Sequence, residues 1–282
     1  MENYKFKNQG KYIVILWLSI FIYLPGESLI IDFVSNGSPW YILDLAFYYY
    51  IHFLFSLLLV ILFYINRIKP VEMLGKVQKT ELISGLKLTA FIFIFSSASF
   101  YALFYPLSFI FPNFVKLWVI DLPPIIYYSE EHYPAIPNLL SFISICILAP
   151  IIEEFVFRGV LLHSWVNKWG LKKAVLISSL LFGLAHPNFL GASVFGIGMC
   201  ILYLRTQNIL IPILCHSVNN FLAWSLEAGM IFSNGPDYFF TLEDFREEWY
   251  IGVIAGAIVV IWVFIYLNGK PNSRIWKLPE LT

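Results

Sequence analysis

The 282 residues are 59% hydrophobic and only 13% charged, well below the charged share of an ordinary soluble domain. That balance excludes a soluble globular enzyme and points to a polytopic membrane protein. The formal net charge is +0, so bulk electrostatics gives no argument for a nucleic-acid partner, and the distribution of charge among loops carries the information instead.

The first apolar run starts at Tyr12 and lacks a small-residue cleavage site, which makes it an anchor rather than a removed signal. A span takes roughly 20 apolar residues. Breaks at proline, glycine and charge clusters give about eight candidates, near 12–34, 42–65, 84–111, 137–165, 171–186, 189–204, 209–230 and 250–268. The fifth and sixth are short, and are expected either in a thinned bilayer or as inner helices with little lipid contact.

Cations collect in alternate loops. Lys5, Lys7 and Lys11 precede the first span, and Arg67, Lys69, Lys76 and Lys79 follow the second. Lys168, Lys172 and Lys173 separate the fourth and fifth, Arg205 the sixth and seventh, and Lys270, Arg274 and Lys277 follow the last. In the remaining loops Asp121, Glu130 and Glu131 outnumber Lys116, while Asp237, Glu243, Asp244, Glu247 and Glu248 face Arg246. The positive-inside rule then places both termini of a multi-pass cell-membrane protein in the cytoplasm.

Before residue 135 the chain holds little chemistry. Glu27, beside Pro25 and Gly26, marks a kink or the outer end of the first helix, and Asp44 lies near the start of the second. His52, in an aromatic run, is expected as a packed, hydrogen-bonded histidine. The stretch 112–136 contains Pro123, Pro124 and Pro134 and cannot form one regular helix, so it is expected to cap the bundle. His132, next to Glu130 and Glu131, belongs to a solvated acidic loop. Cys146, Cys200 and Cys215 lie in apolar segments without disulfide or zinc-site spacing and read as small hydrophobes.

The exception is 151–220, where Glu153, Glu154, Arg158, His186, His216 and Asn220 interrupt segments otherwise fit for lipid. A charge near a bilayer centre costs at least about 2.5–3.5 kcal/mol, so these groups must face one another. On a helix, Glu154 lies one turn before Arg158 and can neutralise it, while Glu153 projects about 100° away, just within reach of the long Arg158 side chain. A carboxylate there feels desolvation countered by a nearby cation, which tunes a general base. Pro150 frees a backbone carbonyl one turn earlier and can open the helix to water. His186 stands at a helix end before Pro187, and His216 and Asn220 share one helical face as a pair of donors suited to a developing oxyanion.

The ordered set Glu-Glu-x-x-x-Arg at 153–158, Phe-x-x-x-His at 182–186 and His-x-x-x-Asn at 216–220 resembles the CPBP family of intramembrane glutamic proteases. That family comprises the type II CAAX prenyl endopeptidases and their bacterial relatives in bacteriocin processing or self-immunity. The resemblance covers about residues 135–230. It sets a catalytic core there between an N-terminal part, 1–134, and a last part, 231–282, that holds an external loop, a membrane helix and a cytoplasmic tail. It implies an all-α bundle of about eight membrane helices around a conical intramembrane cavity. Its substrate would be a peptide or membrane protein, hydrolysed by a water held between Glu153 and His186 with no metal or other cofactor. His216 and Asn220 would stabilise the oxyanion, and Glu154 and Arg158 would shape and charge-balance the site. Asn219, beside Asn220, leaves the identity of the paired amide open.

Two other readings of the same residues stand beside it. Buried charges also line proton or ion paths in transporters, although no inverted repeat is visible. Two histidines and two glutamates can also satisfy zinc, although His-Glu-x-x-His is absent. Serine or cysteine catalysis is weaker, since no Gly-x-Ser-x-Gly elbow occurs and Cys215 faces away from His216. His163, toward the cytoplasmic end of the fourth span, reads as an interfacial histidine.

Overall fold

The computed structural model describes residues 39–128, 133–235 and 240–268. The first expected span, Glu27 and His132 lie outside them. Among the described residues the chain is all helical, without strands. The long helices are α1 (Trp40–Asn66), α2 (Lys79–Ile110), α3 (Ala135–Trp169), α4 (Leu171–Leu184), α5 (Phe189–Thr206), α6 (Leu210–Asn234) and α7 (Trp249–Asn268). Five helical stretches are long and apolar enough to cross a membrane, and the chain is a multi-pass membrane protein.

Helices therefore form at seven of the expected positions, five of them long and apolar enough to cross a membrane. The short ones form a hairpin. α4 has 14 residues and at about 1.5 Å per residue reaches roughly 21 Å, too little to cross a bilayer. It turns at 185–188 and returns as α5, whose most apolar stretch is 61% buried against 6% for the last membrane stretch. Lipid does not bury α5; protein does, on the side of α4 and on that of α2.

Small residues allow this close approach. A Cβ on Gly196 would stand 2.9 Å from the Ser179 Cα, and one on Gly183 would run into the Ser193 hydroxyl and within 2.7 Å of the Phe189 carbonyl. Gly198 receives Ile92 of α2 in the same way. Dispersion and close backbone approach, rather than hydrophobic burial, are what hold helices together in lipid.

Polar staples close both ends of the bundle. At the cation-rich end Asn208, 3% exposed, accepts from the Gly75 amide at 2.9 Å and donates to the Lys76 carbonyl at 3.2 Å, while Ile209 N–H donates to Met73 at 3.0 Å. At the other end the proline-rich stretch is a short helical turn, Pro112–Val115, a π-turn, Lys116–Ile120, and then irregular chain, as its prolines require. The Ile125 and Ile126 amides donate to Glu227 at 2.6 and 3.2 Å, Ser141 donates to the Ile125 carbonyl at 2.6 Å, and Asn138 brackets Tyr127 through both backbone groups. Burial pushes the Tyr127 phenol well above its ordinary range, so it donates, to Asp44 at 2.8 Å. The cap expected over the bundle is thus bonded to α1, α3 and α6.

Gly183→Ala should lower stability by about 1–3 kcal/mol through overpacking of the hairpin. Gly229→Ala, whose new methyl meets nothing within 4 Å, should leave it unchanged. Thermal unfolding of the detergent-purified variants measures both.

Candidate active site

The site is built around an irregular stretch of α3. Two π-segments, Ser144–Leu148 and Phe155–Leu162, flank the regular turn Ala149–Glu154. Such bulges concentrate at functional sites. In the first, the Ala149 amide is drawn to the Ser144 carbonyl, one residue beyond its α-helical partner Ile145. The next donor in that register would be residue 150, and Pro150 has no N–H. The Ile145 carbonyl is left without a helical partner, and Asn220 Nδ2 of α6 fills the place at 2.9 Å. Proline opens the helix as expected, but to a side chain of the motif itself.

That bond modifies the role foreseen for Asn220. One of its two amide hydrogens is committed to Ile145, leaving one for any other acceptor. Asn219 donates to Asn220 Oδ1 at 3.4 Å, so the two amides are coupled rather than alternatives.

Glu154 and Arg158 are 0% and 1% exposed. Arg158 Nη1 donates to Glu154 Oε1 at 2.9 Å and Nη2 to the Gly196 carbonyl at 3.0 Å, with the guanidinium 5.1 Å above the Phe182 ring. The expected i, i+4 pair forms; the reach of Arg158 to Glu153 does not, because Nη1 and Nη2 turn to Glu154 and to the Gly196 carbonyl of α5, while Nε has no partner. Glu154 Oε1 also meets His216 Nδ1 at 2.9 Å. The oxygen that accepts from Arg158 accepts from the histidine too, so His216 donates from Nδ1 and its Nε2 is the nitrogen left for chemistry. His186 is fixed likewise. Its Nδ1 lies 2.7 Å from the Phe182 carbonyl, which can only accept, and its ring stacks on Phe182 at 4.5 Å. Neutral His186 therefore carries its lone pair on Nε2.

A cavity of about 250 Å³ brings together His186, His216, Asn219 and Asn220 with Ser96 and Asn188. Glu153 is not on its wall. Its side chain is 31% exposed, and Oε2, buried and without a hydrogen-bond partner, lies 3.8 Å from His216 Nε2. Glu153 thus adjoins His216 more directly than the expected pairing with His186 would suggest. Among the described residues no three His, Cys, Asp or Glu side chains are arranged to hold a metal ion.

The sequence reading missed Asn188 and Ser96. Asn188 caps α5 by accepting from the Gly191 amide at 3.2 Å and donates to the Ser96 hydroxyl and carbonyl at 2.8 and 2.9 Å, so it holds the turn carrying His186 against α2. The signal was faint: an asparagine after proline, and a run of small polar residues, Ser96 to Ser99, inside an apolar helix. His163 is a correction. It is 2% exposed and shares a 2.8 Å hydrogen bond with Tyr203, because α5 packs over the end of α3 and removes that face from the interface. His52 behaves as expected, 3.3 Å from the Ser144 hydroxyl. Cys215 faces Gly85 of α2.

Removing one member of the buried pair strands the other charge, at a cost of about 3–5 kcal/mol. Glu154→Gln and Arg158→Met should therefore each be strongly destabilised, and the double variant Glu154→Gln/Arg158→Met should recover much of that loss in thermal unfolding. Asn220→Ala should also lose about 1–3 kcal/mol, the cost of an orphaned carbonyl at Ile145, where a donor used only in turnover would leave stability intact.

Residues 135–222 match the family described as type II CAAX prenyl endopeptidase Rce1-like. Among individual relatives, YdiL of Bacillus subtilis (strain 168) is 34% identical over 89 residues, 30% of this chain and 36% of its own length. The membrane-embedded CAAX protease MroQ of Staphylococcus aureus (strain USA300) is 34% identical over 94 residues, 30% of this chain and 37% of its own. Human CAAX prenyl protease 2 is 32% identical over 101 residues, 28% of this chain and 31% of its own. The chain thus spans about a third of the length of each of these relatives. No solved structure matches.

Proposed function

We propose that this chain, whose residues 135–222 carry the match to the Rce1-like endopeptidases, is an intramembrane endopeptidase of the glutamic type. It would hydrolyse a peptide bond in a membrane-associated peptide or protein, either a CAAX-like carboxyl terminus or a bacterial precursor of the bacteriocin kind. The observation that carries the reading is the pair of histidines on one cavity wall. Both have Nδ1 committed to fixed acceptors, Phe182 O and Glu154 Oε1, and both keep Nε2 for reaction.

In this reading Glu153 and His186 bind the attacking water and take its proton. Glu153 suits the task because Oε2 has no donor to satisfy, and His186 because its tautomer leaves an acceptor at Nε2. The water oxygen adds to the peptide carbonyl carbon. His216, its Nδ1 held on Glu154, turns Nε2 to the oxyanion beside the remaining amide hydrogen of Asn220. Collapse breaks the C–N bond, and the proton taken from water passes to the departing amine. Arg158 stays out of the chemistry: its work is to hold Glu154 in place, and with it the orientation of His216.

The test is cleavage of a panel of prenylated CAAX peptides and precursor peptides by purified protein in detergent. Glu153→Ala and His186→Ala should each lose about 10²–10⁴-fold in rate, the usual worth of general acid–base catalysis, with unfolding temperatures like wild type. A zinc chelator should change nothing. Turnover that survives Glu153→Ala would sink the mechanism, and turnover abolished by the chelator would reassign the enzyme to metal-dependent hydrolysis.

A further inference from the structure

The cavity is placed asymmetrically between the two ends of the bundle. His216 lies six residues into α6 from its start at Leu210, about 9 Å from the cation-rich end at 1.5 Å per residue. The remaining 18 residues of the helix put the opposite end about 27 Å away. The shorter route is the sealed one. Directly beneath His216, Leu88, Ile211 and Cys215 are 2%, 0% and 0% exposed and pack as one cluster with Met199 and Leu202. Beside them Met73 and Ile209 close round Gly159, at 3.5 and 3.7 Å from a Cβ built there. The polar groups on this side are themselves buried and bonded within the protein: Thr89 donates to the Gly85 carbonyl, Ser164 to the Val160 carbonyl, and Asn208 to the Lys76 carbonyl.

The lining of the cavity runs the other way. From His216 it passes Asn219 and Asn220, one turn further up α6, to Ser96 and Phe100 on α2 and to Pro187 and Asn188 at the tip of the α4–α5 hairpin. The polar side chains of that lining, Ser96, His186, Asn188, Asn219 and Asn220, are all partly exposed. At the tip the connection to the far face is direct: Trp118, in the π-turn of the stapled cap, donates its indole N–H to the Pro187 carbonyl at 3.0 Å. That face holds the acid-rich loops with Asp121, Glu243 and Glu247, while the sealed face holds Arg67, Lys76, Lys172 and Arg205. Cations mark the cytoplasmic side.

We infer that the cavity is entered from the acid-rich, extracytoplasmic face, so that the peptide it cleaves has crossed the membrane, or presents its scissile bond beyond it, before hydrolysis. This rests on the protease reading for what enters, and it fixes the reaction that must supply the substrate: translocation precedes cleavage. A substrate whose scissile bond stays in the cytoplasm meets the sealed side.

Access can be measured without turnover. The native cysteines Cys146, Cys200 and Cys215 are buried, so the wild type serves as the blank for a membrane-impermeant thiol reagent. Asn219→Cys and Ala192→Cys, on two different helices of the wall, report the cavity; Asp121→Cys and Lys172→Cys, both exposed, report the two faces. In right-side-out vesicles the wall cysteines should react together with Asp121→Cys, and labelling should be lost in inverted vesicles, where Lys172→Cys reacts. Wall cysteines that label with Lys172→Cys overturn the inference. So does a wall that labels from neither face while both face reporters react, which would mean entry from the lipid. Two wall positions guard against one variant failing to fold. Because labelling reads access alone, failure of the protease reading would show in the cleavage assay and leave this result standing.

Discussion

One carboxylate oxygen holds the centre of this bundle together. Glu154 Oε1 receives both the Arg158 guanidinium and His216 Nδ1 at 2.9 Å, and Arg158 continues to the Gly196 carbonyl. Three helices, α3, α5 and α6, thus meet at a single ionic node from which water is excluded. In a medium of low dielectric, neither charge is tolerable alone and the pair is worth little net stability over a well-packed apolar substitute. What the node supplies is orientation: it fixes the tautomer and plane of His216, and so the direction in which the free nitrogen faces the cavity.

The backbone around the node is irregular in a way that lipid alone would forbid. Unpaired carbonyls and turns persist at membrane depth only where protein satisfies them or where they line a cavity. Two of the irregularities here have identified partners. The Ile145 carbonyl, freed by the π-turn and Pro150, takes Asn220. The hairpin turn carrying His186 is held by Asn188 against Ser96 and by Trp118 at Pro187. The residues that look catalytic in a motif are therefore partly occupied as scaffold, and Asn220 carries both duties on one amide.

The small-residue seam between α4 and α5 explains how a helix too short to span can still deliver a histidine to mid-depth. Ser179, Gly183, Ser193 and Gly196 bring the two backbones close enough that the hairpin behaves as one element, with α5 packed inward against α2 and α4 against α3. The Arg158 bond to Gly196 joins this seam to the ionic node, and Phe182, under the guanidinium and under His186, joins it to the cavity wall.

Much of this was legible in the sequence, because the bilayer is a harsh selector. The cost of charge in lipid made Glu153, Glu154, Arg158, His186 and His216 conspicuous, hydropathy placed the helices, and the i, i+4 spacing of Glu154 and Arg158 required their pairing. Those are local or solvent-imposed constraints, which a one-dimensional pattern records. Which residue of α6 meets which carbonyl of α3, that Glu153 adjoins His216 rather than Arg158, that His163 is buried under Tyr203, and that one end of the bundle is packed shut were decided by tertiary structure. They depend on helix rotation and on π-turns that shift register by a single residue, and such shifts arise from the packing of helices distant in sequence.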